Sequence, residues 1–212
     1  MSGLSLTGVR SVLLLGAHPD DVEIAAGGLM LTLAAAQALS VRYVLFSGAP
    51  ERQAEARAAA TAFLPGASVQ YILHTFADGR LPSDWGTVKQ LLHDAYDGFA
   101  PDLVVSPWIG DAHQDHRLLA ELVPTVWRGV FTLQYEIPKW DGDLGRPNVY
   151  LPLSDDRARL KVELLDKYFP SQRERAWWDE EVFLGLARLR GVECASRYAE
   201  AFYCPKAVLE VS

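Results

Sequence analysis

The sequence has few cysteines, no excess of basic charge and no long apolar run. Cys194 and Cys204 are the two cysteines of the 212 residues; they form no Cys-x-x-Cys pair and are predicted to be free thiols. The net charge of -7 argues against a nucleic-acid-binding protein, which needs a basic surface. Without a run of about 18 apolar residues, a transmembrane helix is not expected. Residues 1–10 lack the features of a secretory signal, so we predict a cytoplasmic protein.

Apolar runs typical of buried strands alternate with helical patterns along the chain. Strands are predicted at 11–16, 41–46, 69–73, 102–106 and 130–135, and helices at 24–39, 51–63, 84–99 and 115–127. A loop with one short strand is predicted at 138–152, followed by helices at 155–168 and 180–190 and a last strand at 201–209. This rhythm predicts a single domain over residues 1–212, with the architecture of a three-layer α/β/α sandwich around a mainly parallel, Rossmann-like sheet.

In such sheets, ligands bind beyond the carboxyl ends of the strands. Four stretches of this sequence follow predicted strands: 17–23, 47–52, 74–80 and 107–116. The first and the last contain three of the five histidines of the chain. We therefore expect the chemistry of the protein to depend on these two stretches.

The first stretch places a histidine and two carboxylates directly after a strand. His18 and Asp21 are three residues apart, so one turn at the start of a helix brings both side chains to one side. Asp20 is then available for another role. Because adjacent ionised carboxylates repel each other, a cation would stabilise them. The alternative is that the aspartates only cap a helix N-terminus, which leaves His18 unexplained.

The second stretch contains His113 and His116, again one turn apart. Alone, it is a weak signal for a metal and more typical of a polar helix start with solvated histidines. Together with the first stretch, at the same edge of the predicted sheet, it indicates a metal site. Two imidazoles and one carboxylate that leave positions open for water are typical of a catalytic zinc site.

Three strings of the sequence resemble one known family. Ala-His-Pro-Asp-Asp-Val-Glu at 17–23, with Gly-Gly at 27–28, and His-Gln-Asp-His at 113–116 resemble the PIG-L/LmbE-like zinc-dependent N-deacetylases. The Tyr-Ala-Glu-Ala-Phe segment at 198–202 is also similar. The resemblance implies a small-molecule substrate: a sugar or sugar-like compound that loses an acetyl group from its amide nitrogen. Relatives often assemble as trimers or hexamers, so a homo-oligomer is also implied.

The resemblance further implies a role for each matching residue. One Zn²⁺ per chain would be held by three ligands: His18, Asp21 and His116. Asp20 would be the general base, and a protonated His113 would stabilise the oxyanion. Asp115, bonded to the far ring nitrogen of His113, would keep that ring charged.

The resemblance also implies two substrate contacts. Arg52 and Asp78 match positions that contact the sugar, although a charge in a first helical turn and an Asp-Gly turn explain them equally well. Among the tryptophans, Trp108 has the best position to stack on a sugar ring.

Two other functions compete with a zinc hydrolase. Two histidines and one carboxylate also form the facial triad of non-haem Fe(II) oxygenases, whose reaction needs oxygen. A binding domain that holds a metal or nucleotide without turnover is the second alternative. Against it, no Gly-x-Gly-x-x-Gly follows the first strand, and such a domain has no need of Asp20.

Overall fold

A computed structural model of the chain describes residues 3–208. Their strands are β1 (Ser11–Gly16), β2 (Ser40–Ser47), β3 (Ser68–Phe76), β4 (Leu103–Pro107), β5 (Phe131–Tyr135), β6 (Val149–Leu153) and β7 (Tyr198–Tyr203). Their helices are α1 (Asp21–Ala36), α2 (Pro50–Phe63), α3 (Trp85–Tyr96), α4 (Gln114–Val126), α5 (Asp155–Tyr168) and α6 (Glu180–Glu193). None of these helices is long and apolar enough to cross a membrane.

The strands form one sheet in the order β3-β2-β1-β4-β5-β7-β6. β1 to β5 pair in parallel, and β7 is antiparallel to both of its neighbours. Alternate side chains of β1 enter two different cores: Leu13 packs in the core that includes α3 and α4, and Leu14 in the core that includes α1, α2 and α5. The predicted three-layer α/β/α sandwich with a mainly parallel sheet is confirmed.

Differences from the predicted elements are largest where a polar residue is buried. The last strand was predicted at 201–209, but β7 spans Tyr198–Tyr203, and residue 209 lies outside the described residues. The sequence pattern failed here because Glu200 interrupts the apolar run, whereas in the fold it is buried and bonded. β3 also continues to Phe76, so His74 lies inside the strand, with its ring centroid 5.3 Å from that of Phe46.

Glu200 holds the two halves of α1 at a kink. At Ala26 the backbone leaves helical geometry (φ -130°, ψ 17°), which frees two amides of the next turn. The Glu200 carboxylate accepts hydrogen bonds from the Gly28 and Leu29 amides at 2.6 and 2.7 Å and from Lys161 Nζ at 2.7 Å. A Cβ at Gly28 would lie 2.9 Å from the Glu200 carboxyl carbon, so this approach requires glycine. The first half of α1, which begins with Asp21, is thereby fixed over the sheet.

Candidate metal centre and active site

The structure brings the predicted site residues together at one edge of the sheet, beyond the carboxyl ends of the parallel strands. A cavity of about 360 Å³ opens there. Seven of the predicted site residues line it: His18, Asp20, Asp21, Arg52, Asp78, His113 and His116. Asp115 lies fully buried at the start of α4. The two stretches singled out in the sequence therefore meet, although about a hundred residues separate them.

Three donor atoms in this cavity form a triangle suited to a metal ion. His116 Nε2 lies 3.2 Å from both His18 Nδ1 and Asp21 Oδ2, and His18 Nδ1 lies 3.6 Å from the same Asp21 oxygen. Tetrahedral zinc with bonds of about 2.0–2.2 Å places its ligand atoms roughly 3.3–3.6 Å apart. The donor set and its spacing therefore fit a small divalent ion.

Each of the three donor side chains has a hydrogen-bond partner outside the triangle. Asp111 Oδ2 lies 2.9 Å from His116 Nδ1, and Asp115 Oδ2 lies 3.3 Å from His18 Nε2, so both imidazoles have a carboxylate on the nitrogen that faces away from the metal position. Asp21 Oδ2 accepts hydrogen bonds from the amides of Ala17 and His18. Carboxylate partners of this kind orient histidine ligands and raise their basicity. No role was predicted for Asp111, although its position five residues before His116 is a signal that the two side chains lie on neighbouring turns.

Other donors lie within 4.8 Å of one another in the same cavity. One group is His18, His113 and His116, and another is His18, Asp78, His113 and Asp115. In the second group, the Asp115 carboxylate already accepts hydrogen bonds from the Gly79 and Leu81 amides, and the Asp78 side chain is 77% exposed. The triangle of His18, Asp21 and His116 is the more buried and better supported donor set.

Asp20 lies at the N-cap position of α1 but does not cap the helix. Its φ of 107° is in the left-handed region, which is strained for a residue other than glycine. The side chain makes no capping hydrogen bond and instead accepts one from Arg52 Nη2 at 2.6 Å. The helix-cap alternative is therefore wrong for this residue. Burial raises the pKa of Asp20 above the usual range of an aspartate, and the Arg52 guanidinium opposes that shift.

Arg52 lines the cavity, but its guanidinium is already engaged. Besides Asp20, it donates to the Pro19 carbonyl oxygen, and the Gln172 amide oxygen, in its better-bonded orientation, accepts from two of its nitrogens. The structure thus places Arg52 primarily against the predicted general base. The sequence pattern does not predict this pairing, because Asp20 and Arg52 follow different strands.

The prediction that the Asp115 side chain bonds to the far ring nitrogen of His113 is wrong. His113 Nδ1 lies 3.2 Å from the Asp115 amide nitrogen and accepts its hydrogen bond, so that ring nitrogen carries no proton. The Asp115 carboxylate contacts His18 instead. Burial and two neighbouring imidazoles lower the pKa of His113. The hydrogen bond to Nδ1 and the lowered pKa favour a neutral His113 imidazole with its proton on Nε2 over the predicted imidazolium.

The tryptophans at the site are not the one that the sequence favoured. Trp108 stacks on Tyr203, with ring centroids 4.2 Å apart and planes 6° apart, and it does not line the cavity. Trp140 and Trp177 line it instead. Trp177 packs against Trp178, which belongs to the core, whereas Trp140 is 69% exposed. Trp140 and Trp177 lie in the irregular segments that follow β5 and α5. The conformation of these segments cannot be predicted from the sequence, because they lack the periodic pattern of a helix or a strand.

Metal binding to this centre is expected to strengthen as the pH rises from about 6 to about 8, because the ligand histidines must lose protons. Burial alone would lower the pKa of both imidazoles, but the surrounding carboxylates together outweigh it: Asp21 and Asp111 raise the pKa of His116 to about 9, and Asp21 with two further carboxylates raises that of His18 to about 12. Below these values, protons occupy the nitrogens that a metal needs. Calorimetric titration of the metal-free protein with Zn²⁺ in two buffers of different ionisation enthalpy should show net proton release. A pH-independent affinity without proton release would contradict this.

The fold and the donor triangle define an α/β protein with a His-Asp-His cluster, suited to a metal ion, at the carboxyl edge of its parallel strands. Residues 13–127 match the model of the PIG-L family, described as GlcNAc-PI de-N-acetylase. The match covers more than half of the 212 residues, and the chain belongs to this family. A comparison with curated protein sequences gave no match.

Solved structures share the fold over nearly the whole chain. N,N′-diacetylchitobiose deacetylase from Pyrococcus horikoshii is 20% identical, with a TM-score of 0.70, and the match covers 93% of this chain and 84% of that one. GalB, the 4-carboxy-2-hydroxymuconate hydratase from Pseudomonas putida KT2440, is 18% identical, with a TM-score of 0.67 and coverage of 96% and 100%. The zinc-inhibited form of the teicoplanin deacetylase Orf2 is 16% identical, with a TM-score of 0.69 and coverage of 92% and 97%. At these identities, the likeness shows the fold.

Proposed function

We propose that this protein is a metal-dependent hydrolase that removes an acetyl group from the amide nitrogen of an N-acetylglucosamine-type sugar, a glycoside of it or a related small metabolite. The observation that carries the proposal is the donor triangle of His18, Asp21 and His116 with the Asp20 carboxylate buried beside it. Membership of the PIG-L family supports it. So do the solved deacetylases that share the fold.

Zinc is the metal we propose, with one ion per chain. Three nitrogen and oxygen ligands that leave coordination positions open are typical of catalytic zinc. The same donors also suit the Fe(II) of an oxygenase. An oxygenase needs oxygen, whereas hydrolysis of an amide does not. The anaerobic experiment described below therefore distinguishes the two reactions.

In the proposed reaction, Asp20 moves the protons. When bound, the metal supplies Lewis-acid catalysis: it polarises the amide carbonyl and acidifies the attacking water. The Asp20 carboxylate takes one proton from that water, whose oxygen forms the new bond to the amide carbon. The carbon–nitrogen bond then breaks, and Asp20 returns the proton to the departing amine. The other product is acetic acid, which releases the second proton of the water to solvent and becomes acetate. The Arg52 guanidinium favours the ionised form of the buried Asp20 carboxylate, against the effect of burial, and holds its orientation.

The cavity walls favour a sugar-like substrate. Trp140 and Trp177 offer apolar faces on which a pyranose ring can stack. The exposed Asp78 carboxylate, 3.0 Å from His18 Nε2, lies where it can accept hydrogen bonds from sugar hydroxyls next to the reacting amide. We therefore retain Asp78 as a substrate contact, and we assign Arg52 mainly to Asp20.

Replacing His113 with Ala is expected to lower kcat on the order of 10²–10³-fold, because its Nε2–H is the donor available to the developing oxyanion. Metal content should stay unchanged, since the three ligands remain. The pH dependence of kcat should keep its shape, because a neutral imidazole that donates from Nε2 has no proton to lose in the working range. Steady-state kinetics over a range of pH values measures kcat and its pH dependence. Loss of an alkaline limb in the variant would instead restore an imidazolium role for His113.

The proposed function is tested by incubating the purified, zinc-loaded protein with a panel of N-acetylated sugars, glycosides and nucleosides. Mass spectrometry should detect the loss of one acetyl group from at least one amino sugar, with release of an equal amount of acetate. The same reaction under strictly anaerobic conditions should proceed at an unchanged rate, which the iron oxygenase alternative does not allow.

Two results would contradict the proposal. The first is failure to deacetylate any compound although the protein is folded and loaded with metal. The second is addition of water to a carbon–carbon double bond of 4-carboxy-2-hydroxymuconate, the reaction class named for the GalB neighbour. The second result would keep the metal centre and change the reaction.

A further inference from the structure

The segment after β5 lines the cavity that contains the donor triangle, and one buried arginine bonds to both of its ends. Arg190 donates to both carboxylate oxygens of Glu136 at 2.7 Å and to the carbonyl oxygen of Gly145 at 3.2 Å. Arg190 and Glu136 are both buried. Through Arg190, the two ends of residues 136–145 are joined and the segment forms a closed loop.

Lys139 extends from this loop into the cavity wall beside the metal centre. Its Nζ lies 3.1 Å from Asp111 Oδ1 and 2.6 Å from Asp143 Oδ2, and its side chain is only 10% exposed. Asp143 also accepts a hydrogen bond from the Ala112 amide at 2.6 Å. The loop is thus bonded to the segment that leads into His113 and His116.

Asp111 connects Lys139 to the histidine ligand. One of its oxygens accepts from the His113 amide at 2.7 Å and faces Lys139 Nζ, and the other faces His116 Nδ1 at 2.9 Å. The Asp111 carboxylate is almost completely buried, so its negative charge needs a nearby cation. Lys139 is the cation on the side that faces away from the metal position.

We propose that Lys139 is a positioning residue of the metal centre, which holds the Asp111 carboxylate in the orientation that aims His116 at the metal. This inference rests on the proposed function, since it assumes that His116 is a metal ligand. Lys139 touches neither the metal nor the reacting atoms, and its effect passes through Asp111. The loop after β5 thereby becomes part of the metal site, and changes in that loop alter how tightly the ion is held.

The test measures the dissociation constant of Zn²⁺ at fixed pH by competition with a chelator. Partners one shell beyond the ligands typically change metal affinity about 10–100-fold when removed. We expect Asp111→Asn to weaken binding within that range, and Lys139→Gln to weaken it roughly 10-fold, because one residue separates it from the ligand. Lys139→Arg keeps a cation and should stay within about threefold of the wild type. Lys167→Gln, on the outer side of α5, is the matched control and should bind Zn²⁺ like the wild type.

A second variant separates positioning from a general loosening of the loop. Asp143→Asn keeps the Lys139 cation next to Asp111 while weakening the bonds that Asp143 makes to Lys139 and to the Ala112 amide. Its Zn²⁺ affinity should remain within about threefold of the wild type. If Asp143→Asn weakens Zn²⁺ binding as much as Lys139→Gln, the effect belongs to the loop and the assignment is wrong. Lys139→Met repeats the measurement if Lys139→Gln does not fold.

The outcomes distinguish this inference from the function on which it rests. If the wild-type protein binds no divalent metal, the proposed metal centre fails. If it binds Zn²⁺ and Lys139→Gln binds it equally tightly, the proposed function stands and the role of Lys139 fails. A rise in KM with unchanged Zn²⁺ affinity would make Lys139 a substrate contact and would also overturn the positioning role.

Discussion

Replacing Asp20 with Asn is expected to lower kcat on the order of 10²–10⁴-fold, the usual contribution of a general base, while the metal content stays that of the wild type. The amide has nearly the shape of the carboxylate but cannot accept the proton of the attacking water. Its oxygen can still accept the hydrogen bond from Arg52, so the strained backbone at Asp20 should keep its conformation. Steady-state kinetics and elemental analysis of the same preparation measure the two quantities.

The matched control for Asp20 is Asp141→Asn. Asp141 is an exposed aspartate that lines the same cavity, so its replacement changes the charge of the site without removing the base. We expect that variant to keep kcat within about threefold of the wild type, as is usual for a side chain that makes no transition-state contact. If Asp20→Asn loses the metal and Asp21→Asn retains it, the roles of these two neighbouring carboxylates are reversed.

Replacing His116 with Ala is expected to abolish metal binding and turnover together. The wild type should hold about one ion per chain after dialysis, as expected of three protein ligands, and the variant should hold almost none. Kinetic activity should fall to the uncatalysed background, because Asp20 alone cannot activate the carbonyl. Removal of the metal from the wild type with a chelator should also abolish activity, and added Zn²⁺ should restore that activity.

His93→Ala is the control for the loss of a histidine. His93 lies exposed in α3, away from the cavity, and its removal should change neither metal content nor kcat. A His116→Ala protein that retains a full equivalent of metal would show that the ion is held elsewhere. The alternative donor group of His18, Asp78, His113 and Asp115 would then be the metal site.

Much of the fold follows from local sequence patterns. The continuous apolar run of β1 and the helical pattern of α5 have the predicted bounds, because burial on both faces and regular helical periodicity are local properties. The first half of α1 was less predictable: it begins three residues before the predicted start, where Asp21 and Glu23 are buried. Glu23 accepts a hydrogen bond from the Tyr43 hydroxyl on β2, and no local pattern signals such a long-range partner.

The sequence by itself determined which residues come together, because the carboxyl ends of parallel strands meet at one edge of a sheet. The segments that follow two such ends contain His18, Asp20, Asp21, His113 and His116. Only the tertiary structure decided how they are connected. Asp115 lies 97 positions from His18 and two from His113, yet its carboxylate contacts His18. A hydrogen bond depends on directions and distances within about 3 Å, and side chains on different loops acquire these only when the sheet and its helices have packed.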